Sequence, residues 1–276
     1  MTISGTTRLY AVIGDPIAHS LSPCIHNFWI KQAGIDAAYL ALPVAVADAK
    51  TTISSLFKAG ISGLNVTSPF KDDALNAAVE VSGIAEQIGA SNTLLRGDNG
   101  WIAQNTDSEG FLCALTHALG DEALCGKHIA LIGAGGASRA VVHALRGADV
   151  QLTIVNRTIA RADELAASLM PTAQTAGLHD LVKVIDQADI VVNASSMGLH
   201  GEGLSLPSGK GRLFYDLTYG KAALEILDKA IGQGWKTEDG LRMLVEQARV
   251  AFRHWHGIDP DADAAFRICQ QELKTR

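Results

Sequence analysis

Two α/β domains are what the sequence predicts. Short apolar, β-branched runs alternate with longer stretches of helical period, which is the signature of parallel α/β units. One of those runs empties into a glycine-rich turn that opens a helix. The chain of 276 residues, 47% hydrophobic and 19% charged, is also long enough to bury two cores.

In chain order the expected strands are Leu9–Ile13, Ala38–Leu42, Gly63–Val66, Ser91–Leu95, Trp101–Gln104, His128–Ile132, Val150–Val155, Asp189–Val192 and Leu213–Leu217, with a helix between most of them. One antiparallel feature interrupts the first half: RGDNGW sets Asp98, Asn99 and Gly100 between two short strands, the pattern of a β-hairpin. A helix over Ser108–Leu119 and the loop GDEALCGK precede a second α/β unit that opens at Lys127. The boundary is therefore expected near Asp107, giving a first domain over 1–107 and a second over 108–239. The segment after Asp239 is helical by period and adds no strand, so periodicity leaves open which domain it joins.

Composition narrows the partner. A formal charge of −6 with acids and bases interspersed provides no field to gather nucleic acid or an anionic membrane, which points to a small molecule. Cys24, Cys113, Cys125 and Cys269 show neither CxxC spacing nor scaffold density, as expected of the reducing cytoplasm. No apolar run approaches the ~18 residues of a membrane span, and MTISGTTRLY lacks the basic and apolar regions of an export leader. No HExxH or Cys/His cluster is present, so no metal is expected, and His19 and His26 are expected to make local hydrogen bonds.

The second half carries a dinucleotide fingerprint. His128–Ile132 runs into GAGGASRAVVHAL, where Gly133 permits a tight turn, Gly135 lets backbone approach a pyrophosphate, and small Ser138 allows helix and strand to pack closely. Gly133, Ala134, Gly135, Gly136 and Ala137 thus form the expected phosphate cradle of a Rossmann-type domain, at a helix N-terminus whose free N–H groups favour anions. About 20 residues on, where such folds place an acid for a ribose hydroxyl, LTIVNRTIAR instead offers Asn156, Arg157, Thr158 and Arg161. An acid would repel a 2′-phosphate, whereas guanidinium forks match it, so the expected cofactor is NADP. Thr158 is also placed to cap the helix carrying Arg161. Further on, VVNASSMGL puts Asn193, Met197 and Gly198 after a strand end, as a wall for the nicotinamide.

Three polar clusters in the first half, GDPIAHSLSPCIHN, NVTSPFK and GASNTLLRGDNGWIAQNTD, supply neutral donors for a polyol and a carboxylate, with one Lys and one Asp for a proton. Taken with GAGGA, NRTxxR and the late DGLRMLVEQA, their order and spacing resemble the shikimate dehydrogenase family along nearly the whole chain. The resemblance implies a two-domain enzyme interconverting 3-dehydroshikimate and shikimate with NADP, its C-terminal helices (about 240–276) returning to the first domain. It assigns Ser20 and Ser22 to the substrate carboxylate, and Thr67, Lys71, Asn92, Asp107 and Gln247 to the ring hydroxyls and reacting oxygen. Tyr219 would lie near the carboxylate and nicotinamide, and Lys71 with Asp107 would form the catalytic pair. The family's usual Pro is Lys221 here, a small aliphatic residue before Asn92 is Ser91, and Asp72 and Asp73 follow Lys71. These departures border the implied pocket, so a quinate-preferring relative is the nearest alternative, with a non-catalytic NADP-binding protein further off. Either a monomer or a homodimer fits.

Overall fold

The structure, a computed structural model, describes residues 3–195 and 204–275. It divides into two compact units, Met1–Gly110 with Leu244–Arg276, and Phe111–Met243.

The first unit holds strands β1 (Arg8–Gly14), β2 (Ala37–Pro43), β3 (Gly63–Val66), β4 (Ala78–Val81), β5 (Thr93–Arg96) and β6 (Trp101–Gln104) in the order β2-β1-β3-β5-β6-β4. Its first helices are α1 (Ser22–Gln32), α2 (Ala49–Lys58), α3 (Lys71–Ala77), α4 (Gly83–Ile88) and the start of α5 (Asp107–Leu119). β1 pairs in parallel with β2 and β3, whereas β5 runs antiparallel to both β3 and β6. The expected hairpin is therefore present, and it sits beside the parallel strands. Ile13, Leu64, Val66, Phe70, Leu94 and Trp101 fill one core.

The second unit is a parallel sheet of β7 (His128–Ile132), β8 (Gln151–Val155), β9 (Gln174–Ala176), β10 (Ile190–Asn193), β11 (Leu213–Asp216) and β12 (Lys236–Glu238), in the order β12-β11-β10-β7-β8-β9. It includes α6 (Gly136–Leu145), α7 (Ile159–Leu169), α8 (Leu181–Gln187) and α9 (Lys221–Gly232). Alternate residues of β7 serve opposite faces: Ile129 and Leu131 join Val141, Ile154 and Leu165, while Ala130 and Ile132 join Ile185, Val191 and Phe214. Both faces are buried, as parallel sheets require.

α10 (Leu241–His256) begins in the second unit and ends in the first, where α11 (Ala262–Thr275) also belongs. Trp29 Nε1 donates to Asp261 O at 2.9 Å and Trp255 Nε1 to Leu94 O at 3.2 Å, so the C-terminal helices do return to the first unit. Two glycines permit this close approach. A Cβ on Gly63 would lie 2.5 Å from Trp255 Nε1, and one on Gly110 would lie 2.6 Å from the Gln247 backbone nitrogen.

His26 corrects an expectation. Helix α1 turns its ring into aromatic packing, stacked on Tyr39 at 4.2 Å and 5.3 Å from Trp255, and neither ring nitrogen has a hydrogen-bond partner among the described residues. Burial, with a smaller contribution from His256, holds His26 down at about 3. Burial, helped by the Arg8 charge, likewise holds His256 at about 4.

Such packing makes stability depend on pH. The native state keeps His26 neutral while the unfolded chain takes up a proton near pH 6.5, so between about 6.5 and 3 the unfolded state binds more protons and stability falls as pH falls. His26→Phe, which retains the ring, should flatten that loss in urea titrations run between about pH 7 and pH 4. Gly110→Ala forces α5 and α10 apart and should destabilise by about 1–3 kcal/mol in the same titrations at neutral pH; an unchanged midpoint would refute the close approach.

Candidate active site

The polar centre of the first unit forms where strand ends meet helix starts. β3 delivers Asn65 and, just beyond its end, Thr67, and Lys71 opens α3. The antiparallel register pairs Thr93 with Gln104, which lays the SNT segment before β5 alongside the NTD segment after β6. Asp107 then opens α5, with its charge at a helix N-terminus that favours an anion.

Here Lys71 Nζ donates to Asp107 Oδ2 at 2.6 Å, with the two side chains 16% and 10% exposed. Asn92 Nδ2 donates to Asp107 Oδ1 at 2.9 Å and to Thr106 Oγ1 at 2.9 Å, while Asn92 Oδ1 accepts from Thr106 N at 2.8 Å. Gln247 comes in from α10, its Oε1 3.4 Å from Asn92 Nδ2, and its own Nε2 donates to Leu244 O at 2.7 Å. Lys71, Asn92, Asp107 and Gln247 are thus neighbours although they span most of the chain. The ammonium and carboxylate are held nearly dry, where a charge-assisted bond is strong and each partner's position is narrowly set.

Ser20 and Ser22 sit at the start of α1, where the Ser22 N–H donates to Ser20 Oγ at 3.2 Å. Leu21 caps this helix without a side-chain bond, and the two serines stand at its N-terminal end, where the helix dipole favours an anion. Thr67 is held against β1 by a backbone bond to Ile13 O at 3.0 Å, and a Cβ on Gly14 would come within 2.5 Å of its Cγ2. Tyr219 belongs to the second unit, on the loop after β11 that Asp216 braces by accepting from Thr218 N at 2.8 Å. Burial raises the Asp216 carboxyl, against the hydrogen bonds from Thr218 and Asn193.

In the second unit, Gly133 has φ +110°, and a Cβ there would lie 3.0 Å from Ala194 O. Only glycine takes this turn without strain. Gly135 caps α6, and its N–H donates to Ser138 Oγ at 3.3 Å; nothing lies within 4 Å of where its Cβ would be. That open space adjoins a cavity of about 230 Å³ lined by Gly133, Ala134, Gly135, Asn156, Arg157 and Ser195 among others. Gly136 and Ala137 are the first residues of α6. The cradle therefore fits a pyrophosphate at the helix start, with Arg157 on the wall and Arg161 exposed in the first turn of α7.

One detail differs from expectation. Thr158 occupies the N-cap position of α7 but makes no side-chain cap bond; Asn156 Nδ2 instead donates to Thr158 O at 2.8 Å, bracing the same turn. Asn193 is buried at the end of β10, donating to Asp216 Oδ2 at 2.7 Å and accepting from Ser195 Oγ at 2.7 Å, so its amide ties β10 to β11 and holds Ser195. Met197 and Gly198 lie outside the described residues.

The departures in sequence also find places. The Ser91 hydroxyl is buried and hydrogen-bonded to the carbonyls of Thr93 and Gln104, so it adds no unsatisfied polar group near Asn92. Lys221 is the first residue of α9, where Pro and Lys are interchangeable because that N–H has no intrahelical partner. Sequence reading missed Tyr39, Asn65, Thr93 and Thr106, which buttress Asn92. The last three stand inside the quoted clusters, but their partners are set by strand register.

Comparison with known proteins agrees with this geometry. Family models described as the shikimate dehydrogenase substrate binding domain, shikimate / quinate 5-dehydrogenase and the shikimate 5'-dehydrogenase C-terminal domain match residues 12–94, 116–199 and 240–265. The chain is 44% identical over 265 residues to a shikimate dehydrogenase (NADP(+)) of Hyphomonas neptunium, covering 96% of this chain and 97% of that one. Among solved structures it resembles shikimate dehydrogenase from Aquifex aeolicus, at 34% identity and TM-score 0.88 over 97% of this chain and 99% of that one. The enzyme of Thermus thermophilus, solved with NADP(H) and shikimate, matches at 34% identity and TM-score 0.83 over 96% and 99%. With one family matched across both units, the chain belongs to the shikimate dehydrogenase family.

Proposed function

We propose that this chain interconverts 3-dehydroshikimate and shikimate with NADP, and that Met1–Gly110 with the C-terminal helices binds the substrate while Phe111–Met243 binds the cofactor. The observation that carries the reading is the 2.6 Å Lys71–Asp107 pair, oriented by Asn92 at the meeting point of three strand ends. NADP, when bound, supplies the hydride chemistry. Lys71 donates a proton to the ketone oxygen as negative charge grows there and takes it back in the oxidative direction, while Asp107 holds the ammonium in place and offsets its charge.

The remaining roles follow from chemistry. Ser20 and Ser22, at the start of α1, suit the ring carboxylate. Thr67, Asn92 and Gln247 present hydroxyl and amide groups matched to a polyol, and Tyr219 serves the carboxylate and nicotinamide from the second unit. Ala134, Gly135, Gly136 and Ala137 take the pyrophosphate; Asn156, Arg157, Thr158 and Arg161 take the 2′-phosphate; Asn193, Met197 and Gly198 take the nicotinamide side. Shikimate is favoured over quinate because Ser91, the departure next to Asn92 in sequence, is satisfied by backbone carbonyls and presents no new donor. A monomer or homodimer in the cytoplasm fits two exposed cysteines, Cys113 and Cys125, that stand outside any disulfide.

The test is NADPH formation by the purified chain with shikimate or quinate and NADP or NAD; shikimate with NADP should be fastest, and quinate as the better substrate would overturn the substrate assignment. Lys71→Ala should lower kcat by about 10²–10⁴-fold with NADP affinity unchanged, and near-parental turnover would remove Lys71 from the chemistry. Arg157→Ala should raise KM for NADP roughly ten- to a hundredfold and leave KM for NAD unaltered; equal effects on both cofactors would show that Arg157 does not read the 2′-phosphate.

A further inference from the structure

Beneath the Lys71–Asp107 pair runs a buried chain of hydrogen bonds that begins at a residue no part of the reaction requires. Tyr39, on β2 and 2% exposed, donates its phenolic proton to Asn65 Oδ1 at 2.6 Å. The Asn92 backbone oxygen can only accept, so the Asn65 amide faces it with Nδ2, which donates to Asn92 O at 3.2 Å and to Thr93 Oγ1 at 3.0 Å and leaves Oδ1 to accept the phenolic proton. Thr93 Oγ1, with one lone pair taken, donates to Asn92 Oδ1 at 3.2 Å. The Asn92 carbonyl end is committed to Thr93 and the Thr106 N–H, and the amino end donates to Asp107 Oδ1 and Thr106 Oγ1. Every step runs in one direction, from phenol to carboxylate. Reversing the Asn65 amide would set its oxygen against the Asn92 carbonyl, and reversing Asn92 would set its amino group against the Thr106 N–H.

The Tyr39 ring is locked by stacking on His26, so the hydroxyl has a single position.

We propose that Tyr39 is a positioning residue: acting through Asn65 and Thr93, its hydroxyl orients Asn92 so that Asn92 Nδ2 holds Asp107 in line with Lys71. The proposal rests on the shikimate reading of this site, and the two fail differently. No turnover of shikimate by the unaltered chain removes the reading, whereas equal turnover by parent and variant removes only the role of Tyr39.

Tyr39→Phe keeps the stacked ring and deletes one oxygen. Its kcat with shikimate should fall about tenfold, with a displaced pH profile of kcat and an unchanged Kd for NADP. Thr93→Val cuts the same chain at another link and should reproduce the kcat loss, which covers the case in which Tyr39→Phe does not fold. A double-mutant cycle separates alignment from general loosening. Once Asn92→Ala has removed the end of the chain, adding Tyr39→Phe should reduce kcat no further, whereas independent action would multiply the two losses. Parental kcat in Tyr39→Phe or Thr93→Val, or multiplied losses in the double variant, would overturn the proposal.

Discussion

An ammonium and a carboxylate held 2.6 Å apart with little access to water are the constraint around which the first unit is arranged. Withdrawing two charges from solvent is unfavourable, and their attraction recovers the loss only when geometry is good and the remaining lone pairs are satisfied. The fold supplies both conditions. Asp107 starts α5, where the helix dipole favours its charge, and its other oxygen receives Asn92. Lys71 starts α3, whose backbone is fastened to the hairpin strand by Ser91 N donating to Lys71 O at 3.0 Å. The antiparallel β5–β6 pair has a clear purpose in this light: it brings residues 91–93 and 104–107 side by side, which a further parallel crossover would have separated.

The second unit solves a different problem, how to hold a large anion with few charges in a chain of net charge −6. Backbone does most of it. Gly133 turns because φ +110° is open to it, Ala194 closes against that turn, and the backbone from Gly133 to Gly135, just before α6, lines the cavity. Charge is then needed only at the end of β8, where Arg157 borders the cavity and Arg161 follows one turn later. Asn193, Ser195 and Asp216 form the opposite brace, tying β10 to β11. The glycine turn and the guanidinium pair are thus separate features, one at the start of α6 and the other at the start of α7.

How much of this could be read from sequence depended on whether the deciding contact was local. The central strands were legible because their residues are apolar on both faces, and the glycine turn because strand, turn and helix are consecutive. β4, β9 and β12 were not: each is three or four residues long, partly exposed and at a sheet edge, so period and apolarity carry almost no signal. His26 was misjudged because a histidine in a polar motif invites a hydrogen-bonding role, while its surroundings, Tyr39, Trp29, Phe252 and Trp255, come from β2, α1 and α10. The capping role expected of Thr158 went to the backbone turn held by Asn156.

The site shows the same division more sharply. Lys71, Asn92 and Asp107 announce themselves in short polar motifs, yet nothing in those motifs says that Asn92 is held by Thr93 from its own strand and by Thr106 from the next. The second hold follows from a register in which Thr93 faces Gln104; slipping it by one residue would carry the Thr106 N–H away from the Asn92 carbonyl. Nor could the Ser91 departure be judged before the same register placed its hydroxyl between two backbone carbonyls. In this chain the polar groups are written along the sequence, but their alignment is written across the sheet. Changes that preserve every motif can therefore still disable the site if they disturb β2, β5 or β6.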